Sequence, residues 1–426
     1  MRTNPQLPTL RPVLEVLEDR LMLSNIYWDG NSDGDGDNTS WNDPLNWNLD
    51  RVPGAADDVV IDAADNPTVV INTNVTIGSL DNREALVLAG GTFTISGPST
   101  TSGSFEWQSG RFQPDGGISN TGTFTVSGGA SRDFRGTLEN LGTVLHTATG
   151  DIRFDSNARI VIRAGATYDH RSSGDFVPNW GTSGNGINNE GTFKHSGSGE
   201  AYSSIAFNNL GGTVEIAGSR FSLQNGGTND GGVYQVNAGG ILRYSGGTHS
   251  FAGTPRFSGN GTVEVTGGTF SVNSGATVTA DMTGSTFRLS GGSIGGAGTV
   301  LNLGQAEWTA GRLGTVNASL FRNEGTLTIS GNQTRDFRGT FENAGTVIHT
   351  ATGQIRFYDV SRYNNLAGGL YRHEGTGGSR TRVRGGGTVA GPQRPRFLST
   401  MTEAQSRFWR ESSTCGLAER TTVVFT

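Results

Sequence analysis

Two groups of side chains in this sequence combine residue type and spacing in ways that could do chemistry. The first is Asp29-Gly-Asn31-Ser-Asp33-Gly-Asp35-Gly-Asp37, in which oxygen-bearing side chains alternate with small residues. Such a Gly-rich loop is how a chain gathers hard oxygen ligands around calcium. Asp29, Asn31, Asp33, Asp35 and Asp37 are therefore candidate ligands, and calcium is the one cofactor the sequence suggests. The second group is Arg132-Asp133-Phe-Arg135 with His146 downstream, which returns as Arg335-Asp336-Phe-Arg338 with His349. On an outer face, guanidinium pairs beside a carboxylate can grip the acidic groups of a polysaccharide. The competing and more common arrangement is a salt-bridged outer ladder, with Arg on one coil pairing with Asp on the next.

Nothing else assembles into a catalytic pattern. The opening Asp-x-Asn-x-Asp-Gly resembles the start of an EF-hand loop, but position twelve, counted from Asp29, is Ser40 instead of a bidentate Glu. A solvated hairpin between Trp28 and Trp41 is the alternative. His170, His195, His249 and His373 stand near no Ser or Cys nucleophile pattern and show no metal-binding pair spacing. His195 falls on the inward phase of its strand. Trp107 and Trp308 could stack on sugar rings, but a cover over a turn is the plainer expectation. Asp and Glu are scattered between coils, whereas a glycosidase or lyase collects its acid and base groups on one face. No catalytic residue is assigned.

The elements that must position these groups are short, repeated strands. Gly122-Thr-Phe-Thr-Val-Ser-Gly-Gly129 has counterparts beginning at Gly91, Gly212, Gly261 and Gly325. Within each, alternation is strict: Phe124 and Val126 share one face, Thr123 and Thr125 the other. Neighbouring copies lie about 20 residues apart, a period that signals stacked coils, none of which buries its apolar face alone. Asn and Gly in Asn120-Thr-Gly122, Asn189-Glu-Gly191 and Asn323-Glu-Gly325 are expected to supply positive-φ corners. Roughly 16 coils at about 4.8 Å would make a body on the order of 75 Å long.

A longer duplication overlies the coils. Glu106-Trp107 matches Glu307-Trp308, an offset of 201 residues, and Arg132 to Thr137 matches Arg335 to Thr340, an offset of 203. The repeated blocks span 105–175 and 306–378. Bulk composition agrees with thin coils: 67 of 426 residues are Gly and only 33% are hydrophobic. With 16% charged residues, a net charge of −6 and a single lysine, Lys194, the chain has no basic stripe for nucleic acid. Cys415 is the only cysteine, so an intrachain disulfide is excluded. No run of 18 apolar residues exists to cross a membrane as a helix.

The N-terminal segment Leu14-Glu15, Leu17-Glu18, Arg20 and Leu21-Met22-Leu23 reads as a short amphipathic helix. It also resembles the Leu-Glu-x-Leu-Glu-x-Arg-x-Leu-Leu motif of exported planctomycete surface proteins, which implies export. Trp28, Trp41, Trp47, Val52-Pro-Gly54 and Asp57 to Ile61 are similar to a leader found ahead of β-helical repeats in bacterial surface proteins. In texture the repeats resemble autotransporter- and adhesin-like β-helices. The expected fold is all-β, a single-stranded parallel β-helix (β-solenoid) with a Trp-rich N-terminal cap. Its expected divisions are an export or sorting segment at 1–25, the cap at 26–68, the solenoid at 69–387 and an irregular tail at 388–426. The function expected from these resemblances is a non-enzymatic, extracellular or cell-surface spacer or adhesin contacting polysaccharide or cell-surface components. The alternative is a polysaccharide lyase or glycosidase.

Overall fold

Residues 25–382, apart from 33, 182 and 359, are described by the computed structural model. The Leu14–Leu23 motif, Asp33, Cys415 and the segment 388–426 lie outside the described residues. Three strands make each turn of the chain, and successive turns stack into three sheets. The first sheet holds 17 strands, from Asn25–Tyr27 and Asp58–Ile61 to Ser379–Arg382. The second runs from Thr68–Ile71 to Arg362–Asn365 and the third from Val75–Ile77 to Leu370–His373, with 15 strands each. All pairings in the stack are parallel, as in Phe105↔Phe124↔Val144. The architecture is a β-solenoid of about 15 turns, on the order of 70 Å long at the spacing of parallel strands.

Alternation explains the core. Each strand of the Thr-Phe-Thr-Val type sends its second and fourth residues inward, and the burial pattern follows. Register then places ring over ring. Phe105 and Phe124 stack with centroids 4.7 Å apart, Tyr234 and Phe257 at 4.3 Å, and Phe251 and Phe270 at 3.9 Å. Trp107 and Trp308 belong to this core; Trp107 packs against Phe112 and Phe134 and does not cover a turn. The motif copies do not form a single ladder, however. Those at Thr123–Val126 and Thr213–Ile216 lie in the second sheet, whereas Thr92–Ile95, Thr262–Val265 and Thr326–Ile329 lie in the third. Turn length varies to allow this, from 17 residues between Thr68 and Ala85 to 27 between Arg159 and Gly186.

The corners work differently from the expectation. Asn120, Asn189 and Asn323 end their strands with ordinary φ, and Gly122, Gly191 and Gly325, in the bends that follow, also lack positive φ. The asparagines point inward, fully buried, and form amide ladders along the axis. Asn120 Nδ2 donates to Asn140 Oδ1 at 2.8 Å, while Asn302, Asn323, Asn343 and Asn365 continue one another at 2.7 Å per step. Within a ladder each amide donates to its counterpart on the next rung, and Asn140, the last of its ladder, donates to the Thr167 carbonyl at 3.0 Å. The buried donors are thus compensated, while the leading oxygens of Asn120 and Asn302 have no partner. Glycine is required here by proximity: a Cβ on Gly122 would overlap the carbonyl oxygens of Ser102 and Gly103, and one on Gly142 that of Gly122.

The cap is built as its tryptophans suggested, though its boundary shifts. Asn25–Tyr27 pairs in parallel with Asp58–Val60, so the first full rung begins at Asp58, inside the segment assigned to the cap. Trp41 N donates to Val70 O and Val70 N to Thr39 O, extending the edge of the second sheet. Trp28, Trp41 and Trp47 are buried and meet edge to face at 4.9 and 4.8 Å, with Trp41 resting on Phe93 of the stack. The cap therefore covers strand edges that would otherwise template association.

Gly122→Ala is expected to destabilise the stack by about 1–3 kcal/mol through forced separation of adjacent turns. Gly129→Ala, where the nearest atom to a new Cβ is Thr149 Oγ1 at 3.6 Å, is the neutral control. Urea denaturation of both variants checks the contrast.

Candidate functional site

Arg132-Asp133-Phe134 is a strand of the third sheet, so its outer residues are split between two environments. Asp133 faces outward; Arg132 shares the inward face with Phe134 and is 1% exposed. The outward half is a lattice of ion pairs. Asp133 lies between Arg153 at 2.8 Å and Arg111 at 3.9 Å, Arg135 pairs with Asp115 at 3.0 Å, and Arg111 also binds Asp155. Three carboxylates thus occupy adjacent turns beside Arg135, but each is engaged by an arginine. In the second copy, Asp336 holds Arg356 at 2.7 Å and Arg312 at 3.3 Å, and Arg338 donates to Asn317 Oδ1 at 2.8 Å. The salt-bridged ladder is what forms.

Arg132, Arg335, His146 and His349, read as outer-face ligand groups, are instead interior. The Arg132 guanidinium donates to the carbonyls of Trp107 at 2.6 Å, Ala130 at 2.9 Å and Gly128 at 3.4 Å, and lies 5.6 Å from the centre of the Trp107 ring. It pins the turn that precedes its own strand. Arg335 repeats this with the carbonyls of Trp308 and Gln333. Burial lowers both guanidinium pKa values, yet arginine stays charged. Carbonyl dipoles supply the compensation that a carboxylate would otherwise provide.

Histidines complete the interior cluster. His146, His170 and His195 occupy the same inward position on three successive strands of the second sheet. Tyr168 Oη contacts His146 Nδ1 at 3.0 Å, the Nδ1 atoms of His170 and His195 are 2.9 Å apart, and His170 Nε2 meets the Gly174 carbonyl at 2.7 Å. The second copy reproduces the core of this set, with His349 Nδ1 to Tyr371 Oη at 2.7 Å and His373 Nε2 to the Gly377 carbonyl at 3.0 Å. Tyr168 and Tyr371, and the matching of His170 with His373, escaped the sequence reading. The 203-residue offset was the available signal. Desolvation dominates the acid–base behaviour: the His146 pKa falls well below its ordinary value, His170 falls to about 3, and His249 and His349 to about 4.

The two copies do not share a face. Every element of the second copy lies one sheet further around than its equivalent: Ser104–Trp107 is in the second sheet and Gln305–Trp308 in the third. Nine turns and one extra strand separate them. The duplicated surface features therefore point in directions roughly a third of a turn apart about the axis.

The acidic loop is only partly gathered. The Asp37 carboxylate accepts from Thr39 N and Ser40 N at 2.8 Å and from Asn46 Nδ2 at 2.7 Å, which lowers its pKa and ties the loop to the cap. Asn31 is exposed. Among the described residues no group of three or more His, Cys, Asp or Glu side chains converges as metal ligands. One further carboxylate stands out. Burial raises the Asp175 pKa to about 6, with Asp151 adding to the shift against the hydrogen bond from Tyr202 N.

Comparison with family models, with curated proteins and with solved structures finds no match to this chain. Among the described residues no helix is long and apolar enough to cross a membrane.

Two predictions follow from these side chains. Histidines kept neutral in the fold bind protons only after unfolding, so their contribution is full above about pH 6.5 and is lost as pH falls toward 4. Each such group costs about 1.4 kcal/mol per pH unit in that window. Urea midpoints at pH 7.5, 6 and 5 should fall accordingly, and His249→Phe should flatten the slope. Asp37→Ala is expected to destabilise the cap by about 1 kcal/mol equally with calcium or chelator. A melting-temperature loss that depends on calcium would instead assign this loop to the metal.

Proposed function

We propose that the chain is a non-enzymatic, exported cell-surface or matrix protein: a stiff spacer whose outer polar ladders adhere to extracellular polysaccharide. The observation that carries this reading is the pairing of outward carboxylates with arginines along a continuous stack. Catalytic acids need to be poised, one protonated and one ionised, near a substrate bond. Carboxylates engaged by guanidinium groups are already occupied by a partner within the chain. A stack hydrogen-bonded along its whole length resists bending, which suits a spacer. The resemblance of Leu14–Leu23 to an export motif supports the location outside the cell.

One observation favours the second reading, a polysaccharide lyase or glycosidase. Asp175, with its raised pKa beside Asp151 and Tyr202, has the acidity of a general acid at neutral pH. A glycan array run with lyase and hydrolase assays on pectin, alginate and heparin-like polymers separates the two. Binding without turnover is expected. Unsaturated or reducing-end products that vanish in Asp175→Asn would replace the spacer with an enzyme.

A further inference from the structure

Trp180 is 80% exposed, the most exposed of the large hydrophobic side chains described. An indole left in water forfeits the gain of burial, and the core that takes up the other described tryptophans is one strand away. Trp180 follows Phe176–Pro178 of the third sheet at the corner leading to Gly186–Asn189 of the first. Its backbone is held in place: Ser156 N donates to the Trp180 carbonyl at 3.1 Å, and Asn157 N to the Ser183 carbonyl at 3.0 Å. Arg159 Nε donates to the Gly184 carbonyl at 3.1 Å, so the segment carrying Trp180 closes against the rung that supplies Arg159.

Beside this corner lies an open cleft of ≈ 220 Å³ bordered by Arg159, Gly184, Asn185, Asn188, Asn208 and Asn225. No carboxylate borders it. Arg159 makes no ion pair among the described residues, unlike the arginines of the outer lattice. Asn185 is only 5% exposed, yet its buried Nδ2 has no hydrogen-bond partner. A buried amide donor left unmatched is destabilising unless something outside the chain meets it. Asn208 Nδ2 already donates to Asn188 Oδ1 at 2.8 Å, which fixes the two outward amides side by side along the cleft.

We propose that Trp180 and this cleft form a subsite for a carboxylate-bearing pyranose, a uronate residue of an acidic polysaccharide. An indole face takes the C–H face of a sugar ring. The Arg159 guanidinium takes the carboxylate, for which it has the matching charge and fork geometry. Asn185 Nδ2, together with the Asn188, Asn208 and Asn225 amides, meets ring hydroxyls. The cleft is smaller than the roughly 300–1,000 Å³ of drug-sized pockets, so it accommodates one ring of a longer chain. The subsite deepens the adhesive reading and rests on it.

Isothermal titration of the full chain with a galacturonate trisaccharide and with neutral cellotriose provides the test. Binding of the uronate oligomer is expected, weakened roughly tenfold or more in Trp180→Ala. Arg159→Gln should weaken uronate binding and leave any neutral-sugar binding unchanged. Circular dichroism and the urea midpoint are expected to match the parent chain in both variants, because neither side chain lies in the core. Uronate binding unchanged in Trp180→Ala overturns the subsite, as does a concentration-dependent dimer that this substitution abolishes. If the glycan array shows other glycans bound while the uronate oligomer is not, the subsite fails and the adhesive reading stands. If no glycan binds at all, both fail.

Discussion

Rung-to-rung hydrogen bonding between parallel strands is the constraint from which the other features follow. It holds neighbouring turns at the strand spacing of about 4.8 Å and forbids them to slide, so each inward side chain lies over its counterpart. At that distance like stacks well on like. Phenylalanine rings pile face to face, asparagine amides donate to the next amide, and glycines admit the carbonyl of the turn below. The same spacing explains why polar groups can be buried at all. Arg132, inside a narrow coil, meets backbone carbonyls of its own turn and the one before it. Histidines stacked on successive rungs lose their protons to desolvation and contact one another or a tyrosine.

The duplication shows what such a stack can absorb. A block copied with an offset of 201 to 203 residues was inserted after nine turns and one extra strand, and the register still closes. Interior requirements are nearly the same on each of the three sides, since each strand offers two inward positions to a common core. Trp308, Arg335, His349 and Tyr371 accordingly rebuild the interior cluster one sheet further around. Outward faces have no such equivalence. Asp133 and Asp336 each find two arginines, but on different sides of the rod, so copying the interior did not double any one surface.

Much of this was legible in the residues, and the failures were local. Alternation placed Phe124 and Val126 inward, and three tryptophans between polar turns marked the cap. The same alternation put Arg132 on the face of Phe134 and His146 on that of Val144. That placement runs against the general rule that charged groups seldom enter a core, and the outer-face expectation followed the rule. Corner asparagines were assigned positive φ from their turn preference, whereas laddering through their amides is the stronger demand. Trp180 gave no signal, because nothing in a single tryptophan between Asn179 and Gly181 distinguishes an exposed ring from a buried one.

The sequence by itself determined that the chain coils, what period it keeps, which residues alternate inward and which block was copied. These properties depend on neighbours along the chain, and strand geometry converts them directly into faces. Only the tertiary structure decided which of three sheets each repeat joins, which arginines are ion-paired and which are buried, and that the two copies point apart. Those outcomes depend on how many strands lie between two points, since corners of different length all close one turn. One strand more leaves the local pattern intact while moving everything that follows onto the next sheet.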